Sequence, residues 1–195
     1  MPRRSPISTE TSQLYATSTE FRKVFRENMD NVHVLSFLLT ADLAKAEECF
    51  VSGLEDCVKG SSVFRNWARS WARRTIVQNA IRMVAPCTNR SAVTAARSET
   101  VSCSFGRTPE AHGAITSILG LEDFERFVFV MSVLEKYSDQ DCSVLLGCSR
   151  QDVREARMQA FLHVAESEKL RVETALDSNA HEETPTREAQ MVLPF

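Results

Sequence analysis

A chain of 195 residues with a formal net charge of -3 and 43% hydrophobic residues can form one domain or two small ones, and it lacks the overall basic excess of a dedicated nucleic-acid binder. No apolar run approaches the ~20 residues that span a bilayer, and Met-Pro-Arg-Arg leads into polar residues rather than an apolar core; no membrane association and a cytoplasmic location are expected. Only 6 Gly and 6 Pro, with little alternation of apolar and polar residues, predict an all-α fold.

In chain order, residues 1–19 are rich in Ser, Thr and Pro without periodicity and read as a disordered arm. A first helical domain is expected over 20–85. It opens with Phe21, Val24, Phe25, Met29 and Val32 at helical spacing and continues through Val34 to Leu39, a largely helical stretch in which His33 reads as a packed or surface side chain. Thr40-Ala-Asp42 breaks it. Leu43, Ala46, Phe50, Leu54 and Val58 then form an apolar stripe, with Glu47, Glu48, Glu55 and Asp56 on a solvated face.

Gly60-Ser-Ser62 interrupts the pattern and Ser62 is placed to cap a helix over 63–85. Phe64, Trp67, Ala68, Trp71, Ala72, Ile76, Ala80 and Ile81 are expected to face inward there. Arg65, Arg69 and Arg73 recur every four residues on another face, joined by Arg74 and Arg82. From Cys57 to Ser98 there are eight Lys or Arg and no acid, whereas His163 to Phe195 holds seven acids against three bases. The charge is therefore segregated. A basic face follows phosphates and aromatic rings stack on unpaired bases, but both Trp at helical spacing read as core, which leaves the Arg stripe as the contact.

Pro86 ends this helix, and 86–110 reads as a flexible linker. A second helical domain is expected over 111–168, its core supplied by Ile115, Ile118, Leu119, Leu121, Phe124, Phe127, Val128, Met131 and Leu134. Within it Ser138 with Asp141, and Ser149 with Asp152, are capping-box pairs, and Gly147-Cys148-Ser149 is a short turn between the helices they start. This spacing suits a helix-turn-helix, and equally an ordinary helical hairpin. In a helix-turn-helix the second helix enters the major groove, so Arg150, Gln151, Arg154, Glu155 and Arg157 would reach DNA while Val144, Leu145, Val153, Ala156 and Ala160 pack inside. Residues 169–195 read as an acidic disordered tail with an apolar end, Met191 to Phe195.

The six Cys show no Cys-x-x-Cys pair and no His at ligand spacing, so neither metal nor cofactor is expected. Cys142 and Cys148 flank the turn, where buried small residues compete with a redox switch. There is no phosphate loop and no paired nucleophile and base, so no catalytic residue is assigned.

The run from Leu121 through Phe124, Arg126, Phe127, Met131, Leu134 and Tyr137 to Ser138, with the spacing of Asp141, Leu146, Gly147, Val153 and Ala160 behind it, resembles region four of bacterial RNA polymerase sigma factors. The small extracytoplasmic-function-like members keep only regions two and four, a plan that suits this length. Leu38-Leu-Thr-Ala-Asp-Leu-Ala-Lys-Ala-Glu-Glu48 is similar to the region-two segment that grips the clamp helices of the polymerase beta-prime subunit. Ala46, Glu47 and Glu48 match, while Val51 replaces a Gln and Leu54 an aromatic. The Phe64-x-x-Trp-Ala-x-x-Trp-Ala-Arg73 run is similar to the part of region two that reads the minus-ten element and helps separate its strands, with Arg74 for an Asn and Gln78 for an acid. Glu155, Ala156, Gln159 and Phe161 depart from the family's recognition helix, and Arg157 stands at a usually apolar position.

The resemblance implies an alternative sigma factor that directs promoter recognition and transcription initiation. Core polymerase would be bound through Glu47 and Glu48, and promoter DNA through Arg65, Arg69, Arg73, Arg74, Arg82, Arg150, Gln151, Arg154 and Arg157. An anti-sigma protein is a further partner of such factors. Two other readings stay open: a stand-alone helix-turn-helix regulator, and a sigma-like adaptor that binds DNA weakly.

Overall fold

The computed structural model describes residues 14–60, 62–86 and 109–180; the arm up to residue 13, most of the linker and the tail from residue 181 lie outside them. Among the described residues the fold is all-α, with no strand beyond one isolated bridge between Tyr15 and Phe64. No described helix is long and apolar enough to cross a membrane.

Helix α1 (Ser18–Glu27) starts inside the expected arm because Thr17 and Glu20 form a capping box: the Glu20 N–H donates to Thr17 Oγ1 at 3.3 Å and the Thr17 N–H to Glu20 Oε2 at 2.8 Å. The stretch 21–39 is largely helical as expected, with one interruption at Asn28, whose side chain donates to the Val24 carbonyl at 2.7 Å and so competes with the backbone ladder. Helix α2 (Met29–Thr40) then runs through the core and stops at Ala41 in the left-handed conformation, φ 52°. Of the expected stripe, helix α3 (Leu43–Gly60) buries only Ala46, joined by Cys49, Gly53 and Cys57; Phe50, Leu54 and Val58 are half-buried and Leu43 is exposed. Small residues face inward because α3 lies close against the next helix: a Cβ on Gly53 would sit 2.5 Å from Ile76 Cδ1.

That helix does not begin at Ser62. The chain passes through a 3-10 turn, Arg65–Trp67, before α4 (Ala68–Val84), and neither start has a side-chain cap. Ala68, Ala72, Ile76, Val77 and Ala80 face α2 and α3. Helix α4 ends at Ala85, also left-handed, just before Pro86.

Helix α5 (Pro109–Leu119) and helix α6 (Asp123–Phe129) follow, and α6 widens into a π-helical turn, Val130–Leu134, closed by the Glu135 N–H donating to the Val130 carbonyl at 2.9 Å. Phe127, Val128 and Met131 are buried as expected and Val130 joins them, whereas Leu134 is exposed. Arg126 is buried too. Its Nη1 donates to the Leu121 carbonyl just past α5 at 3.0 Å and its Nη2 to the Leu39 carbonyl in the last turn of α2 at 3.4 Å, so one guanidinium ties together the ends of two helices. Helix α7 (Asp139–Leu146) and helix α8 (Arg150–Ala180) complete the chain; α8 runs well into the stretch expected as disordered tail.

Candidate nucleic-acid interface

The strongest departure from the sequence reading concerns two tryptophans. Trp67 is 65% exposed and Trp71 37%, so neither belongs to the core. Along α4, Trp67, Trp71, Arg74, Gln78 and Arg82 recur at spacings of four, three, four and four, which puts them on one face, opposite Ala68, Ala72 and Ile76. The small residues supply the packing and the large rings are left outside.

The segment before α1 builds the rest of this surface. The Ala16 N–H donates to the Val63 carbonyl at 2.7 Å and the Arg65 N–H to the Leu14 carbonyl at 2.9 Å, clipping 14–16 to 63–65. Tyr15 stacks on Phe64 with ring centroids 5.1 Å apart, and Phe64 meets Trp67 edge-on at 5.8 Å. Tyr15 and Phe64 are exposed as well. The result is a ridge of aromatic rings, held rigid by a backbone bridge and bordered by Arg65 and Arg69. Tyr15 lies in the expected arm; its apolar neighbour Leu14 and the Thr17–Glu20 capping pair are the sequence signals that the arm ends early.

The five arginines of this region are not equivalent. Arg65 pairs with Glu20, and Arg82 donates to Asp56 Oδ2 at 2.8 Å and to Asn79 Oδ1 at 2.9 Å. Arg73 grips Glu135 with Nε and Nη2, the former at 2.6 Å, and Glu135 is nearly buried. Arg73 is therefore a strut between α4 and the π turn rather than a phosphate contact. Arg69 is exposed and outside any ion pair among the described residues. Half-buried Arg74 lies near Tyr137, whose hydroxyl burial pushes up to about 12 against the opposing pull of Arg74.

The α7–α8 unit is built as its caps foretold. The Asp141 N–H donates to Ser138 Oγ at 3.1 Å, and Ser149 and Asp152 cap each other reciprocally at 3.1 and 2.8 Å. Gly147 ends α7 at φ 66°, a conformation that costs Gly little. Val153, Ala156 and Ala160 are buried and Leu145 half-buried, but Val144 is 65% exposed, contrary to expectation. The cations of α8 are mostly engaged. Arg157 Nη1 donates to Asp139 Oδ1 at 2.6 Å and Arg154 Nε to Asp139 Oδ2 at 3.2 Å; the hydrogen bond from Arg157, more than that from Arg154, holds this carboxyl below its usual range. Gln151 donates to Glu155 at 2.8 Å, which leaves exposed Arg150 outside any ion pair among the described residues.

Glu47 and Glu48 are exposed on α3, and neither is held in an ion pair among the described residues. Leu43, Glu47, Val51, Leu54 and Val58 share one face, with Val51 exposed and Leu54 and Val58 half-buried, so Glu47 sits on an apolar ridge and Glu48 lies beside it toward solvent. Leu54 and Val58, with Arg22, Glu55 and Lys59, line a shallow groove beside it.

Burial of the cysteine thiols argues against a redox role at the turn. Cys142 is fully buried, which pushes its thiol up to about 11, and Cys148, half-buried, is raised for the same reason. No cluster of His, Cys, Asp and Glu suited to a metal ion occurs among the described residues. No family model matches this chain, and no curated protein is significantly similar to it.

Proposed function

We propose that the chain is a sigma-like initiation factor, which binds core RNA polymerase through the solvent face of α3 and engages promoter DNA chiefly through α4 and the aromatic ridge at its start. The observation that carries this reading is the exposure of Phe64, Trp67 and Trp71, which fall in a stretch of sequence, Cys57 to Ser98, that holds cations and no acid, with exposed Tyr15 stacked on Phe64. A folded protein leaves few such rings in contact with water unless they meet a partner. Unpaired bases are a fitting one, since every base has a face to stack on and each stack contributes about 1–3 kcal/mol. Arg69 and Arg74 border the rings and would follow the phosphates, whereas Asp56 competes with phosphate for Arg82 farther along α4.

In this reading the chain supplies recognition and strand capture, and catalysis belongs to the polymerase. The ridge of α3 would seat against the clamp helices, with Leu43 and Val51 giving apolar contact and Glu47 and Glu48 giving charge selection. The α7–α8 unit would act as a helix-turn-helix of weak affinity, because Asp139 competes with phosphate for Arg154 and Arg157. The same competition favours the sigma-like adaptor as a second reading.

Fluorescence anisotropy tests the proposal. A labelled single-stranded oligonucleotide, titrated with the chain and core polymerase together, should bind at least tenfold more tightly than a duplex of the same sequence. Equal affinity for both forms would remove the case for strand capture, and tight duplex binding without polymerase would put a stand-alone regulator in its place.

A further inference from the structure

Helix α8 is apolar on two opposite faces. Val153, Ala156 and Ala160 are buried against α6 and α7, while on the far side Met158 is 60% exposed, Leu162 59%, and Val172 also projects into solvent, with Ala165 and the ammonium of Lys169, turned toward Glu173, between them. An ordinary surface helix keeps one apolar face and one polar face, so a second stripe of large apolar residues needs a partner to cover it. One edge of this stripe is acidic: Glu155, Glu166 and Glu173 follow one another at near-helical repeats, and all three are exposed.

We infer that the outer face of α8 is a docking surface for a basic amphipathic helix of another protein. Charge selects this occupant over the alternatives. The chain's own residues 181–195 end in apolar Met191, Val192 and Leu193, but they carry Glu182, Glu183 and Glu188 against Arg187 and would bring acid to an acidic edge. A second copy laid antiparallel on the same stripe would set Glu166 of each helix beside its twin, a repulsion near the centre of contact. Among the described residues duplex DNA finds here only Lys169, which lies 3.9 Å from Glu173, and at one end Arg154, which Asp139 already holds. A helix with Leu on one side and Lys or Arg beside it satisfies both halves of the surface, as in other helix-on-helix recognition. The surface lies beyond Arg150 and Arg154 on the same helix, so an occupant would sit next to the proposed DNA contacts without needing them, and the inference does not depend on the proposed function.

The test uses the full chain and two synthetic helical peptides sharing one pattern of Leu at i, i+3, i+4 and i+7, one filled with Lys and the other with Glu. The Lys peptide should bind at least tenfold more tightly than the Glu peptide, and Met158→Ser with Leu162→Ser should weaken it tenfold while helical content by circular dichroism stays unchanged. Glu166→Lys with Glu173→Lys should reverse the preference between the peptides. Equal binding to both peptides, or unchanged binding by the serine variant, would overturn the inference. So would a dimer in sedimentation that the serine variant dissolves, or a tenfold gain in peptide affinity when Met191, Val192 and Leu193 are replaced by Ser, since either would show that the surface is already taken.

Discussion

Replacing Trp67 by Ala separates packing from recognition at the ridge. Trp67 is 65% exposed, so about a third of a ring surface of roughly 250 Å² is out of water, and at about 25 cal/mol per Å² its burial contributes at most ~2 kcal/mol. A tryptophan that filled the core would cost about 3–5 kcal/mol on truncation. A stacking tryptophan instead loses about 1–3 kcal/mol of affinity per base, or roughly 5- to 150-fold in Kd. Urea unfolding followed by circular dichroism, and anisotropy of a single-stranded oligonucleotide with core polymerase present, measure the two quantities on one variant. The expected result is a stability loss below ~2 kcal/mol with a loss of affinity in that range. A stability loss above ~3 kcal/mol, or affinity unchanged within about twofold, would refute the assignment of Trp67 to the binding surface.

Further outcomes follow from the ion pairs and the packing. Arg73→Ala should destabilise the fold by about 2 kcal/mol in denaturant unfolding, because it strands a nearly buried Glu135, while exposed Arg69→Ala should stay within ~0.5 kcal/mol and weaken DNA binding instead. Gly53→Val should cost about 1–3 kcal/mol through collision with Ile76, read as a lower midpoint at unchanged slope. Asp139→Asn should free Arg154 and Arg157, strengthening duplex binding and steepening its salt dependence by about two phosphates' worth. Because the folded-state carboxyl of Asp139 lies below its usual range, its stabilising effect is present above the ordinary aspartate value of about 4 and is lost as pH falls below it; α7–α8 should loosen with acid in the wild type and less so in the Asn variant.

Local signals were read well where the chemistry is local. Ser149 and Asp152, three residues apart, form the reciprocal capping box their spacing predicts, while Ser138 caps the Asp141 N–H and the Asp141 carboxylate accepts from the Ser138 hydroxyl instead of closing the box. Thr17 and Glu20 carry the same signature and place the first helix earlier than periodicity alone did. Periodicity misled at α4 because rings and small residues both recur at helical spacing, and nothing in a spacing tells which stripe faces a neighbouring helix. Ala68, Ala72 and Ala80 pack there because Gly53 lets α3 approach closely, a fact of the partner helix. The pairing of Arg73 with Glu135 spans 62 positions and leaves no trace in local pattern, so a strut was read as a phosphate contact. The length of α8 is hidden because the apolar pattern thins after Val164 and the composition turns acidic, which reads as tail although the helix runs on to Ala180.

Binding to bacterial core RNA polymerase tests the central claim most directly. In size-exclusion chromatography the chain should co-elute with core polymerase as a one-to-one complex, and reversing both acids of the α3 ridge with Glu47→Lys and Glu48→Lys should weaken that complex at least tenfold while leaving helical content intact. Failure of the wild-type chain to bind core polymerase would contradict the account, and full retention of binding by the charge-reversed variant would contradict the place assigned to it on α3.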